Sequence, residues 1–480
     1  MNKVFTLATA LTAACSLSLP GLAFAADNVE LREIRAEIKQ MRESYEARLK
    51  ALEQRLQAEQ EKNAKLQAQA GPPTTLASSP PTSAPPAIPV TPATPESGKA
   101  GRALASTNQF NPAISLILAG TYANLSQDPE TFRLPGPVPG SRLSVEAATR
   151  GFSLGESELT LSAAIDPHFS GQLTFALDGN DAASVEEAFV DARELGQGVN
   201  LRFGRFFSGL GYQNSQHGHV WDFVDTPLAY QAMLGGQASS NGLQLKWLAP
   251  IDRFFEVGAE IGKSTANAFA GTERNKNGIG SSVLFAHLGD DLGANASWRV
   301  GLSYLRSRAD DLEIQADDAG GVATNVNNRH SKTWIADGVF KWAPQGNSTQ
   351  TYFKLQGEYL RRTESGDATF VAPDTSVTSA AYQSRISGWY LQGIYQFSPN
   401  WRAGVRHDHL SLGAQAVAGV ALPAVLDNPK RTSVMLDWNR SEFSRIRLQL
   451  ARDKTRPDVI DNQIFLQYIM SLGAHGAHRF

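Results

Sequence analysis

Cysteine is almost missing from this 480-residue chain: there is one, Cys15. It lies within the first 25 residues, which read as a secretory signal. Lys3 supplies the positive start, Val4 to Leu19 an apolar and small-residue core, and Ala23-Phe24-Ala25 a small-x-small cleavage site that leaves Ala26 as the mature start. The alternative, a lipoprotein cysteine, is disfavoured by Thr12, which stands where such signals prefer leucine. Cleavage after Ala25 removes the thiol, which excludes structural disulfides and thiolate metal sites. Long apolar runs are also missing. No stretch of about 18 apolar residues follows the signal, so no transmembrane helix is expected. That absence does not touch a membrane β-barrel, whose strands are short and only half apolar. Charge of one sign is not in excess either: the formal net charge is −3, and nothing global points to nucleic acid. Neither a Gly-x-Ser-x-Gly nucleophile elbow nor a His-Glu-x-x-His zinc motif is expected, and serine and histidine are too scattered to assign a triad. No catalytic residue is assigned, and the chain is not expected to be an enzyme.

What is present falls into zones. Residues 26–70 are rich in Glu, Lys, Arg, Gln, Ala and Leu, with apolar residues at Leu31, Ile34, Ile38, Met41, Tyr45, Leu49, Leu52 and Leu56. The steps are mostly three and four, the seam of a coiled coil, with a stutter near Tyr45. Such a stripe needs a partner, and a trimer is the expected assembly; a lone amphipathic helix lying on another surface is the alternative. Residues 71–107 hold Pro72, Pro73, Pro80, Pro81, Pro85, Pro86, Pro89, Pro92 and Pro95 among Ser, Thr and Ala, which predicts an extended, semi-rigid linker.

Residues 108–480 change character again. Sixteen segments alternate apolar with polar or small residues: 112–124, 150–165, 169–179, 185–194, 199–208, 241–249, 253–263, 279–289, 295–308, 331–343, 349–362, 382–397, 401–413, 431–440, 444–454 and 462–480. Every second connection is tight, as at Asp166-Pro167-His168 or Ser398-Pro399-Asn400. Most of the others are long: 125–149, 209–240, 264–278, 309–330, 363–381 and 414–430. This asymmetry predicts an all-β transmembrane barrel of about 16 antiparallel strands with both chain ends on the periplasmic side of a bacterial outer membrane. The last segment alternates Ile464, Leu466, Tyr468, Met470 and Leu472 up to a terminal Phe480. A C-terminal aromatic on an alternating strand resembles the recognition signal of outer-membrane barrels. An ordinary strand of a soluble sandwich is the alternative.

Charges that would be costly against lipid mark inward faces. Arg402, Arg406 and Asp408 share one face of 401–410, and Arg445 and Arg447 one face of 444–454, so these five are expected to line a wet lumen. Arg306 and Arg308 are assigned inward on the same argument. A barrel of this size is wide enough for water.

The string Arg202-Phe203-Gly204-Arg205-Phe206-Phe207-Ser208-Gly209-Leu210-Gly211-Tyr212, followed by a long loop with Trp221-Asp222-Phe223, resembles the phosphate-selective porin family. The resemblance implies a trimeric sixteen-strand barrel, in some members with an N-terminal helical segment, and a loop 209–239 folded into the lumen as its constriction. The family's anion preference does not carry over, because an anion filter needs Arg or Lys and this loop has neither. It offers His217, His219, Asp222 and Asp225 instead. Imidazole and carboxylate suit zinc and similar divalent ions, so His217 and His219 are candidate metal ligands. Polar residues that merely line a wet vestibule are the competing reading. His407, His409, His475 and His478 add further imidazoles. The ending Leu472-Gly473-Ala474-His475-Gly476-Ala477-His478 is similar to a group of outer-membrane proteins associated with zinc limitation, some labelled TonB-dependent receptors. A receptor of that kind needs a plug domain and 22 strands, for which this chain has no room.

The expected function is therefore passive passage of small hydrophilic solutes or ions. The alternatives are a zinc-related uptake protein, with the divalent metal as transported ligand rather than resident cofactor, or a tether acting through the coiled coil. The expected partners are outer-membrane lipid, further copies of the chain, and peptidoglycan or a periplasmic protein.

Overall fold

The computed structural model describes residues 112–136, 142–144, 148–177, 183–193, 195–264, 277, 279–309, 312–313, 322–371, 377–421 and 428–473. The expected signal, coiled coil and linker, and residues 474–480 with His475, His478 and Phe480, lie outside the described residues.

Alternating sequence becomes strand almost throughout. In chain order the strands are β1 (Ala113–Leu125), β2 (Gly151–Leu154 continued by Ser157–Ala164), β3 (Phe169–Leu177), β4 (Ala183–Ala192), β5 (Val199–Phe207), β6 (Ser239–Leu248), β7 (Phe254–Ser264) and β8 (Ser281–Leu292). They continue as β9 (Ala296–Ala309), β10 (Val322–Trp342), β11 (Tyr352–Val371), β12 (Val377–Ser398), β13 (Trp401–Val417), β14 (Lys430–Ser441), β15 (Ser444–Lys454) and β16 (Asp461–Gly473). Each pairs antiparallel with its chain neighbours, and β16 returns to β1 in a register from Ser115↔Gly473 to Leu125↔Gln463. The closure leaves no free edge, and the wall is a sixteen-strand antiparallel barrel. The one α-helix among the described residues, α1 (Leu228–Leu234), interrupts the connection from β5 to β6.

The two faces of the wall differ as period-two alternation requires. On β16, Ile464, Leu466, Tyr468, Met470 and Leu472 are exposed, while Gln463, Phe465, Gln467 and Ile469 are buried. On β15, Ile446, Leu448 and Leu450 are exposed, while Arg447, Gln449 and Asp453 are buried. Large apolar side chains therefore point out and charges point in, the inverse of a water-soluble protein. Aromatics border the apolar exterior. Trp342, Trp401, Trp438 and Phe443 are exposed beside the short turns. Trp334, also exposed, stands eight residues before Trp342 on the same face of β10. That spacing is about 26 Å along a strand, or about 20 Å along the barrel axis at a tilt of ~40°.

Several expectations need correction. The loops expected at 309–330 and 363–381 are largely strand, because β10 starts at Val322, β11 runs to Val371 and β12 starts at Val377. Arg306 and Arg308 do not face the interior. They are exposed on the face that carries Val300 and Leu302, at the long-loop end of β9, past the end of its outward apolar stretch. His407 and His409 also lie on the outer face, where both rings pack on Trp389 at centroid distances of 5.6 and 5.9 Å. Finally, Gly151-Phe152-Ser153-Leu154-Gly155 does match the Gly-x-Ser-x-Gly spelling. It forms a strand paired with Gly120–Ala123 of β1 rather than a strand-to-helix turn, so it lacks the geometry of a nucleophile elbow.

Candidate functional site

The connection from β5 to β6, residues 208–238, folds inward and is held by inward-facing side chains from most of the wall. Its neck is closed by Asn214. The Asn214 amide donates to the carbonyls of Ser208 and Ala238, both at 2.8 Å, and accepts from Ala238 N at 2.7 Å, which joins the two ends of the loop. Glu260 of β7 accepts from Ser208 Oγ at 2.6 Å and from Gly209 N at 2.8 Å. Glu358 of β11 forms a second anchor. It accepts from Gln213 N at 2.8 Å, Tyr230 Oη at 2.8 Å and Tyr390 Oη at 2.7 Å. Gly211 is obligatory beside it: φ is +63°, and a Cβ there would stand 2.4 Å from Glu358 Oε2 and 2.6 Å from Tyr230 Oη. Burial and the Glu358 carboxylate push the Tyr230 hydroxyl well above its ordinary pKa, so it serves as a donor.

Helix α1 supplies the apolar part of the attachment. Leu228, Ala229, Tyr230, Ala232, Met233 and Leu234 are all buried, against inward-facing Val283, Phe285, Ile335, Leu360 and Leu410. The helix ends at Gly235, whose φ of 67° closes it with an αL cap. Removing this apolar face from water is the main force that keeps the loop inside the barrel.

The segment between neck and helix, 217–226, runs as a strap between two sets of charges. On one side stand Arg402 and Arg406 of β13, Arg431 of β14, Arg445 and Arg447 of β15, and Lys354 of β11. Asp222 accepts from Arg402 NH1 at 2.9 Å and Gln392 Nε2 at 2.9 Å, and pairs with Lys354. Asp225 accepts from Arg406 NH2 at 2.9 Å, Arg431 NH1 at 2.7 Å and Gln449 Nε2 at 3.0 Å. The main chain is gripped as well: Arg447 donates to Trp221 O at 2.9 Å, Arg431 to Thr226 O at 2.9 Å, and Arg445 to His219 O. Burial alone would raise the Asp222 carboxyl, but Lys354 and Arg402 hold it down at about 2. Arg431 and Arg406 likewise outweigh the burial of Asp225 and keep it low.

On the other side the strap meets acids. His217 Nδ1 lies 3.1 Å from Glu158 Oε2 and 3.1 Å from Glu186 Oε2, and its Nε2 lies 3.1 Å from Glu187 Oε2. His219 Nδ1 is 2.8 Å from Glu158 Oε1. Burial would lower the His217 pKa, but the three carboxylates outweigh it and push it well above the ordinary value. Two local irregularities of the wall produce this convergence. Leu154 pairs with Gly120 and Glu158 with Ile117, so β2 spends four steps where β1 spends three. This bulge flips the alternation, turning Glu158 inward. On β4, Val185 pairs with Phe175 and Glu187 with Thr174, which leaves Glu186 as the extra residue. A bulge there lets consecutive glutamates address the same imidazole, which a regular strand forbids.

Of the residues singled out from the sequence, His217, His219, Asp222 and Asp225 all lie on the strap, and Arg402, Arg406, Arg445 and Arg447 all touch it. Asp408 accepts from Leu228 N at 3.0 Å and from Arg406 Nε at 2.9 Å. Sequence reasoning missed Glu158, Glu186, Glu187, Lys354, Glu358 and Arg431. The anion-filter expectation counted basic groups only within the loop, which omits the lumen arginines of the wall that face it.

No family model matches the chain. An uncharacterized protein of Aquifex aeolicus (strain VF5) is 30% identical over 407 residues, which is 78% of this chain and 81% of that protein. The chain belongs to the family of that protein. Among solved structures, the anion-selective porin from Comamonas acidovorans has a TM-score of 0.46 at 10% identity, covering 75% of this chain and 99% of the porin. OprB of Pseudomonas putida has a TM-score of 0.45 at 14% identity, covering 75% and 94%. The outer-membrane channel DcaP of Acinetobacter baumannii has a TM-score of 0.43 at 10% identity, covering 75% and 97%.

Proposed function

We propose that this protein is a porin-like channel of the bacterial outer membrane, passing small hydrophilic solutes or ions through a lumen that the 208–238 loop narrows. The observation that carries the reading is the opposition of the two faces of one closed wall. The exterior presents Leu448, Leu450, Leu466 and Met470 to its surroundings, bordered by exposed tryptophans, as a bilayer-embedded barrel must. The interior concentrates Arg402, Arg406, Arg431, Arg445 and Arg447 opposite Glu158, Glu186 and Glu187, with the strap between them. Fixed charges of both signs at a narrowing select among small solutes by charge and size. The coiled-coil pattern at 26–70 supports assembly as a trimer through the N-terminal segment.

The test is single-channel recording of the purified, folded protein in planar bilayers under potassium chloride gradients. Discrete conductance steps, with a reversal potential altered by removing Arg402 or Arg406, are expected. A folded, inserted protein that gives no steps would sink the reading.

A further inference from the structure

The structure assigns a divalent-cation site to Glu158, Glu186 and His217, on the acidic side of the strap. Their ligand atoms, one from each residue, all lie within 4.8 Å of one another. Nδ1 of His217 is 3.1 Å from one oxygen of each glutamate. Tetrahedral ligands about 2.0–2.1 Å from a zinc ion stand about 3.3 Å apart, so a cation fits among these atoms with little movement of the backbone.

The arrangement is poorly explained as hydrogen bonding alone. One ring nitrogen carries at most one hydrogen, yet Nδ1 faces two carboxylate oxygens at equal distance, both longer than the about 2.7–2.9 Å usual for a charged donor and acceptor. The surroundings have the character of an outer coordination shell. The opposite ring nitrogen, Nε2, is held by Glu187 at 3.1 Å, the carboxylate–histidine pairing that orients an imidazole toward a metal. The second oxygen of Glu158 is held by His219 at 2.8 Å. Glu187 is itself fixed by Phe207 N at 3.1 Å and Gln172 Nε2 at 3.3 Å.

Charge argues the same way. Glu158, Glu186 and Glu187 have side chains 2, 8 and 6% exposed, and their ion pairs among the described residues are all with His217 and His219. The arginines of this interior are engaged elsewhere; Arg445, which reaches His219, does so at the backbone carbonyl. Even with one charge on the His217 ring, three buried carboxylates against it leave negative charge that is costly unless a further cation joins them. The two wall bulges that aim Glu158 and Glu186 at one point are irregularities that recur beside functional sites. One imidazole with two carboxylates selects a first-row divalent ion such as Zn²⁺ over softer metals, which favour thiolate. Bound there, the ion cross-links the strap to β2 and β4 and fixes it opposite the arginine row.

Isothermal titration of Zn²⁺ into the full-length protein, folded in detergent and stripped with a chelator, tests the site. His475→Ala/His478→Ala serves as the background, so that terminal imidazoles do not contribute. One saturable site per chain is expected. His217→Ala and the near-isosteric Glu186→Gln should each weaken it at least ~10-fold, and Glu187→Gln should weaken it about 10-fold or more through ring orientation. Retained β-barrel circular dichroism and heat-modifiable gel mobility show that each variant is folded, and Glu186→Gln carries the test if His217→Ala is not. Absence of Zn²⁺ binding by the parent, or unchanged binding in a folded Glu186→Gln protein, overturns the assignment. The readout is independent of conductance, so a failed channel reading and a failed metal site are distinguishable.

Discussion

Asp222 and Arg402 meet at 2.9 Å, Oδ1 to NH1, across 180 residues of sequence. The guanidinium does not stop there: its Nε reaches Asp437 at 2.8 Å, and Asp437 in turn holds Arg447 at 2.8 Å. Arg447 returns to the strap at the Trp221 carbonyl. The loop is thus tied to β13, β14 and β15 by a closed circuit of charge-assisted bonds rather than by one ion pair. Members of such a circuit couple strongly when mutated together.

Removing one member should therefore cost more than an isolated surface pair. Asp222→Ala leaves Lys354 and Arg402 without their shared carboxylate in a buried setting, a loss of about 3–5 kcal/mol. Hydrogen exchange of the 219–226 amides should accelerate in the variant while strand amides keep their protection. Wild-type exchange rates in the variant would show that the circuit does not hold the strap.

Acid should act on the same contact. The Asp222 pKa is depressed to about 2 in the folded chain, below the ordinary aspartate value of about 3.9. Its contribution to stability is therefore complete above about pH 4 and is lost as the pH falls through about 2. For this one group the linkage is worth roughly 2–3 kcal/mol, and Asp225 shifts in the same direction. Strap docking, followed by exchange corrected for intrinsic rates, should be constant from neutral pH to about pH 4 and weaken below it. Asp222→Asn should shrink the acid step.

The Glu358 anchor predicts a backbone effect. Gly211→Ala places a methyl 2.4 Å from Glu358 Oε2 at a φ of +63°. The left-handed conformation alone costs a non-glycine residue about 1–2 kcal/mol, and displacement of the carboxylate breaks its bonds to Gln213 and the two tyrosines. The thermal midpoint should fall. Gly419→Ala, also at positive φ (+77°) but with nothing within 4 Å of the added Cβ, should carry only the conformational part.

The wall was legible because its outward and inward faces differ in a period-two pattern, as exposed Ile446, Leu448 and Leu450 against buried Arg447 and Gln449 illustrate. Where that constraint ends, so did legibility. Segments 322–330 and 363–369 are mostly polar, with too few apolar residues for their alternation to distinguish strand from loop. Parity alone also cannot say which face is inside, which is why the outward placement of Arg306 and Arg308 runs against expectation. The strap's residues were visible as a charged, histidine-bearing loop, but their partners were not. Glu158, Glu186 and Glu187 converge on His217 through two one-residue bulges, and a bulge leaves no compositional mark.

The outer face offers the most direct test of what surrounds the barrel. Leu448 is exposed in mid-strand, between Leu436 of β14 and Leu466 of β16, which are also exposed. If hydrocarbon covers this surface, Leu448→Arg buries a charge near the middle of the bilayer and lowers the free energy of folding into lipid vesicles by about 2–4 kcal/mol. Arg452, four residues further along the same face and toward the long-loop end, already carries an outward charge, so Arg452→Leu should be nearly neutral. The contrast between the two depends on depth rather than on exposure, since both side chains are exposed. Equal and small effects would mean that water covers both, and the membrane placement on which the channel reading depends would fail.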